Sequence, residues 1–185
     1  MRLFLAGPLP DAIKQELLDV RDRWLNGAVP APQRGVSLTR AENLHLTLKF
    51  LGEVPEPGLP DLLLALRRRQ AAGPITLQTA GIVCFPPRGR IRVVAAGLTG
   101  EIGRLQALYD QLEQCCADAG FARERRAFHP HVTVARSRVG LPADFRHGAS
   151  QTQAGRPFRL EQVVLYQSHL QSGGAEYVPL ATFPV

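Results

Sequence analysis

The chain has 185 residues, is 45% hydrophobic, and carries 22 basic against 16 acidic side chains, a formal charge of +6. That length suits one compact domain or two small lobes around a cleft, and the apolar share excludes wholesale disorder. No apolar run approaches the ~18 residues of a membrane span, and the opening MRLFLAGPLPD is too short in apolar residues for a secretory signal.

In chain order, RLFLAGPL (2–9) reads as a first strand. An amphipathic helix follows from about Asp11 to Asn26, with Ile13, Leu17, Val20 and Trp24 on one stripe and Gly27 as its stop. ValSerLeu (36–38) reads as a short strand. NLHLTLKFLG (43–52) alternates strictly, with Leu44, Leu46, Leu48 and Phe50 on one face and His45, Thr47 and Lys49 on the other. A second helix is expected from about Pro60 to Ala72, with Leu62, Leu63 and Leu66 inward. ITLQTAGIVCF (75–85) and RIRVVAAGL (90–98) form strands joined at PPRG. A third helix is expected over about Gly100–Ala119, with Thr99 as N-cap and Ile102, Leu105, Leu108, Leu112, Cys115 and Ala119 inward. HVTVAR (131–136) is the next strand, followed by a loop over roughly 137–156. RLEQVVLYQSHL (159–170), a turn at Gly173–Gly174 and YVPLATFPV (177–185) read as a closing hairpin. Strands arriving in pairs favour an α+β fold with antiparallel sheets.

The three cysteines, Cys84, Cys115 and Cys116, are odd in number and lack C-x-x-C spacing, against a disulfide framework or a zinc site. A reducing, cytoplasmic setting is expected. All basic residues except Lys14 and Lys49 are arginine, which suits bidentate phosphate contacts. A genome-wide composition bias accounts for that excess equally well.

One short pattern repeats: HLTL at 45–48 returns as HVTV at 131–134. In a strand, a His and a Thr two residues apart face the same way, roughly 6.5–7 Å apart. The imidazole exchanges a proton near neutral pH, and the hydroxyl donates to an anionic oxygen. One copy says little, because threonine is simply a good strand former. Two copies facing each other suit in-line displacement at phosphorus, with a base on one side, an acid on the other and hydroxyls on the non-bridging oxygens. Such chemistry requires no metal. His129 and His131 form an H-x-H pair that could ligate one, but no carboxylate is spaced with them. His147 falls in a polar loop and is expected to face solvent; His169 suggests no role.

These motifs and their flanks resemble the two-histidine (2H) phosphoesterase superfamily, and within it the RNA 2′,3′-cyclic phosphodiesterases, or 2′-5′ RNA ligases. RLFLAGPLP (2–10), ENLHLTLKFLGEV (42–54), RAFHPHVTVAR (126–136) and VVLYQSHLQSGGAEYVPLATFPV (163–185) carry the resemblance in order. It implies that residues 1–185 form one bilobal α+β domain: two small antiparallel sheets, helices outside, and one H-x-T-x motif from each lobe facing a basic cleft. It implies metal-independent hydrolysis of RNA 2′,3′-cyclic phosphate ends to 2′-phosphomonoesters without a cofactor, and reversible 2′-5′ joining in many relatives. Carried over, His45 is the proton donor, His131 the proton acceptor, and Thr47 and Thr133 hold the phosphate. Arg126, Phe128 and Arg136 match further contact positions. Arg136 has the wrong strand parity unless the strand ends or twists, and Phe128 could equally be core. Ala95 stands where many relatives carry a tryptophan. The partners expected are RNA ends or nucleotides with a cyclic phosphate, no membrane, and a monomeric protein. A relative acting on another cyclic phosphate, such as an ADP-ribose cyclic phosphate or a small cyclic nucleotide, would share these residues. A non-catalytic module gripping RNA ends would not need both motifs intact.

Overall fold

The computed structural model describes residues 1–28, 35–146, 155–171 and 174–185. His147 and Gly173 lie outside them. The described strands form a nine-stranded antiparallel sheet flanked by three α-helices, an α+β architecture as expected, with the two expected small sheets joined into one through the β-pairing at Leu46 and Val132. The strands are β1 (Arg2–Pro8), β2 (Val36–Leu38), β3 (His45–Glu53), β4 (Ile75–Phe85), β5 (Ile91–Gly100), β6 (His131–Leu141), β7 (Pro157–Leu160), β8 (Gln162–Gln171) and β9 (Gly174–Pro184). Their order is β7-β4-β5-β6-β3-β1-β8-β9, with β2 paired to β6. One half therefore holds β4–β7 and β2; the other holds β3, β1, β8 and β9. The halves meet where β3 pairs with β6, through a single register pair, Leu46 with Val132.

The helices are α1 (Asp11–Ala28), α2 (Leu59–Arg67) and α3 (Ile102–Asp118). α1 buries Ile13, Leu17 and Trp24, and α2 buries Leu62 and Leu66. α3 buries Leu105, Leu108, Tyr109, Leu112, Glu113 and Cys116. β1 lies between β3 and β8, so its LFLA run is buried on both faces.

Several boundaries differ from the sequence reading. The helix through Gly27 runs on to Ala28. α2 ends at Arg67, short of Ala72, and Leu63 is only half-buried. Thr99 and Gly100 belong to β5; Gly100 turns the chain at φ 104°, and Glu101 takes the N-cap. Cys116, not Cys115, is the fully buried thiol of α3. β6 continues to Leu141: β2 pairs with its middle, Val36 opposite Ser137, and β5 pairs at its far end, Ile91 opposite Leu141. The segment 159–170 is two strands. β7 pairs with β4 at one edge of the sheet, and one residue later β8 pairs with β1 in the other half.

That single-residue step requires the sheet to curl so that its distant strands approach. Leu160 of β7 then lies over β1, and a Cβ on Gly7 would fall 2.4 Å from Leu160 Cδ1. Glycine at position 7 thus sets how far the sheet closes. Gly7→Val should destabilise the fold by about 1–3 kcal/mol through overpacking, measurable as a lowered urea midpoint. A midpoint equal to wild type would show that this approach is not close-packed.

Candidate active site

The strict alternation read over 43–52 breaks within the motif. β1 pairs Ala6 with Thr47 but Leu5 with Lys49, leaving Leu48 as an extra residue. β5 pairs Ala95 with Thr133 but Val94 with Ala135, leaving Val134 as an extra residue. Each motif therefore carries a β-bulge directly after its threonine. A bulge shifts side-chain parity by one. His45–Phe50 and His131–Arg136 consequently share one burial sequence: half-buried, buried, half-buried, buried, buried, exposed.

This corrects two expectations. Phe50 leaves the core and is 61% exposed, while Lys49 turns inward and is 5% exposed. Arg136, out of phase in a regular strand, comes onto the face of His131 and Thr133. It lines a cleft of about 330 Å³ with Thr47, Phe50, Phe85, His131 and Thr133.

Leu46 and Val132 are wholly buried and hold the seam from the core side. Their neighbours His45, Thr47, His131 and Thr133 project from the opposite face. The two histidines are oriented in the same way. His45 Nδ1 lies 2.7 Å from the Asn43 carbonyl, and His131 Nδ1 lies 2.6 Å from the His129 carbonyl. A carbonyl only accepts, so Nδ1 carries the hydrogen on both rings. His131 and Thr47 line the cleft, whereas His45 is not among its lining residues and lies behind Thr47. His45 Nε2 sits 3.0 Å from Thr47 Oγ1, which donates to it while the ring is neutral.

Packing fixes the His45 ring further. Phe4 lies at 5.0 Å between centroids, and Tyr177 meets the ring edge-on at 5.4 Å. Asn43 itself is tied to the closing hairpin, donating from Nδ2 to the Ala175 carbonyl at 2.7 Å. Phe85 lies 4.9 Å from the His131 ring. Burial drives the His45 pKa down to about 4, against its backbone hydrogen bond and with help from Arg136 and His131. His131 is lowered as well, by burial and then by Arg136 and His129. Arg136 thus acts electrostatically on both imidazoles.

The remaining predicted residues sit on the segment between α3 and β6. Arg126 lines the cleft, with its guanidinium forked on Glu124 through Nε at 3.1 Å and Nη2 at 2.7 Å. That fork and two backbone amides hold the Glu124 carboxyl down at about 2. Phe128 also lines the cleft; one ring face is covered by Tyr109 at 4.2 Å and 10°, and it packs against the core. Ala95 is buried beside Thr133. His169 pairs across the hairpin with Glu176 and does not line the cleft. Among the described residues, no cluster of three or more His, Cys, Asp or Glu side chains could hold a metal, and no helix is long and apolar enough to cross a membrane.

The residues missed in the sequence are Asn43, Lys49, Tyr109, Glu113 and Glu124. Lys49 left one trace, as one of two lysines in an arginine-rich chain.

The model of the 2′-5′ RNA ligase superfamily matches residues 9–171. The chain belongs to that superfamily. Among its similar members, the protein from Escherichia coli K12 named RNA 2′,3′-cyclic phosphodiesterase is 34% identical over 180 residues, covering 97% of this chain and 93% of its own. The protein of the same name from Aeropyrum pernix is 38% identical over 123 residues, and the match spans 65% of each chain. The match to a third of that name, from Geobacillus stearothermophilus, spans 98% of this chain but 56% of its own length. The superfamily fold is equally clear in solved structures. E. coli LigT complexed with 3′-AMP superposes with a TM-score of 0.77 at 27% identity, covering all of this chain and 97% of that one. TT0787 of Thermus thermophilus gives 0.76 at 29% identity.

Between pH 6.5 and 4, an unfolded chain binds a proton at residue 45 that the folded chain refuses. The contribution of His45 to stability is therefore full above about pH 6.5 and is lost as pH falls toward 4. His45→Gln should flatten that acid loss, seen as a smaller drop in urea midpoint between pH 7 and pH 5. An unchanged drop would mean that His45 is not held neutral by burial.

Proposed function

We propose that this chain hydrolyses the 2′,3′-cyclic phosphate at RNA ends to a 2′-phosphomonoester, by acid–base catalysis between His45 and His131. The observation that carries this reading is the pair of imidazoles on one seam, each with Nδ1–H tied to a carbonyl, His131 on the cleft and His45 joined to it through Thr47. The names of the relatives, the superfamily and the fold support the substrate class.

The cyclic phosphate sits over the Leu46–Val132 pair. Thr47 and Thr133 donate to its non-bridging oxygens, and Arg136 adds a guanidinium to the same charge. Thr47 gives up its hydrogen bond to His45 to do so. Water attacks phosphorus opposite the 3′ oxygen. His131 Nε2 takes the water proton as the new P–O bond forms, and the P–O3′ bond breaks. His45 Nε2 gives its proton to the leaving 3′ oxygen, so the product is a 2′-phosphate with a free 3′-hydroxyl.

This scheme needs a protonated His45, yet burial keeps the free protein's His45 neutral near pH 7. The substrate supplies what is missing, because an anion beside a buried imidazole favours its charged form. Substrate binding and proton uptake are thus coupled. An RNA 5′-hydroxyl in place of water would give a 2′-5′ linkage by the same steps, so ligation needs no second site. Both motifs on one chain support a monomeric enzyme, and its RNA substrate supports a cytoplasmic setting.

His45→Ala and His131→Ala should each lower turnover of a nucleoside 2′,3′-cyclic phosphate by about 10²–10⁴-fold while the fold is retained. Substantial turnover in either variant would remove the mechanism, and a 3′-phosphate product would reverse the roles. EDTA should leave the rate unchanged; loss on chelation, restored by metal, would favour the His129–His131 pair as a ligand set.

The pH dependence carries the coupling. In kcat/KM, which reports the free enzyme, the alkaline limb should fall on the acid side of an ordinary histidine. In kcat, which reports the complex, it should move to higher pH. Coincident limbs would show that the phosphate does not raise the proton donor.

A further inference from the structure

The two motifs share one burial sequence, but the residues after the bulge differ sharply. Ala135 fills the inward position on β6; on β3 the same position holds Lys49. The pseudo-symmetry shows that this inward slot needs no charge. Its lysine has a specific set of partners. Nζ lies 2.8 and 2.9 Å from the two carboxylate oxygens of Glu113 on α3, and donates to the Ala122 carbonyl at 3.0 Å. The two side chains are 3% and 6% exposed. Glu113 Oε2 also accepts the amide of Glu124 at 3.1 Å.

The pair therefore grips the segment between α3 and β6 at two points, Ala122 and Glu124. Glu124 in turn holds Arg126 through its backbone amide and its guanidinium. Tyr109, one turn before Glu113 on α3, stacks on Phe128. The next residue, His129, supplies the carbonyl that orients His131. Each link from Lys49 to the cleft wall is a direct contact.

We infer that the buried Lys49–Glu113 pair is a positioning device that fixes the cleft wall 122–129 against the first motif strand, and so sets how tightly the cyclic phosphate end is held. Lys49 and Glu113 border the same cleft but touch no reacting atom in this scheme; they act on the wall residues Arg126 and Phe128. The inference rests on the phosphodiesterase reading above.

Its physical signature separates it from a purely structural role. A buried ion pair adds little net stability over well-packed apolar side chains, whereas removing one partner strands a charge. The test is therefore the double variant K49M/E113M, which removes both charges together. Its thermal midpoint should stay close to wild type. Its KM for cytidine 2′,3′-cyclic phosphate should rise about tenfold, equivalent to ~1.4 kcal/mol of lost binding, with kcat within about threefold. Hydrogen exchange at the Glu124 amide should accelerate, because its acceptor is gone. K49M/E113Q keeps an acceptor for Glu124 and loses only the Ala122 anchor, so its KM should fall between the two. Unchanged KM in a folded K49M/E113M protein would overturn the inference. So would failure of both double variants to fold, because the pair would then be a stability element. Absence of turnover in the wild-type protein would instead overturn the activity, and Glu124 exchange would still report whether the pair holds the wall.

Discussion

The site depends on one constraint: two strands from different halves of the sheet touch at a single register pair, Leu46 with Val132. Because both side chains are wholly buried, they fix the seam from the core side. Alternation then places His45 and Thr47 beside His131 and Thr133 on the other face. A longer ladder would add hydrogen bonds but leave no gap for a ligand. A seam without a buried pair would let the halves slide. One pair held in a continuous core gives an open cleft whose two sides keep a fixed register.

The bulges at Leu48 and Val134 complete this arrangement. Each ends the regular alternation after the threonine and brings the residue two further on to the ligand side, Phe50 on one strand and Arg136 on the other. The two halves thus contribute equivalent geometry and different chemistry. Where one motif strand presents an aromatic ring, the other presents a guanidinium. Inward, the same displacement gives lysine on one strand and alanine on the other. In the proposed scheme, symmetry in the backbone holds the reaction axis, and asymmetry in the side chains distinguishes one side of the phosphate from the other.

How much of this was legible in the sequence follows from the range of each interaction. The paired H-x-T spacing and the apolar residues between were readable because alternation is local. The strands of β4 and β5 and the stripe of α1 were readable for the same reason. The bulges were not, because they are defined by the partner strand's register, and nothing in LTLKF or VTVAR marks an extra residue. Regular alternation consequently puts Phe50 and Lys49 on exchanged faces and Arg136 out of phase. The β7–β8 step was hidden because Glu161 is one residue in a continuous polar–apolar run, while its consequence is a change of sheet half. Lys49–Glu113 joins residues 64 positions apart, beyond any helical or strand period.

The electrostatics follow from the same geometry. Placing two imidazoles and Arg136 around one seam, with apolar rings behind the histidines, makes positive charge costly there until an anion arrives. Burial and the nearby arginine hold His45 neutral in the free state, and its Nδ1 bond to Asn43 keeps the ring ready to accept a proton on Nε2 without turning. Burial is the main cause of both lowered values, and Arg136 adds to it. In the proposed scheme the same arginine opposes protonation of the imidazoles and contacts the phosphate that permits it. If His45 is the proton donor we propose, specificity for an anion follows, because a neutral ligand in the same space would leave it without the proton the leaving group requires.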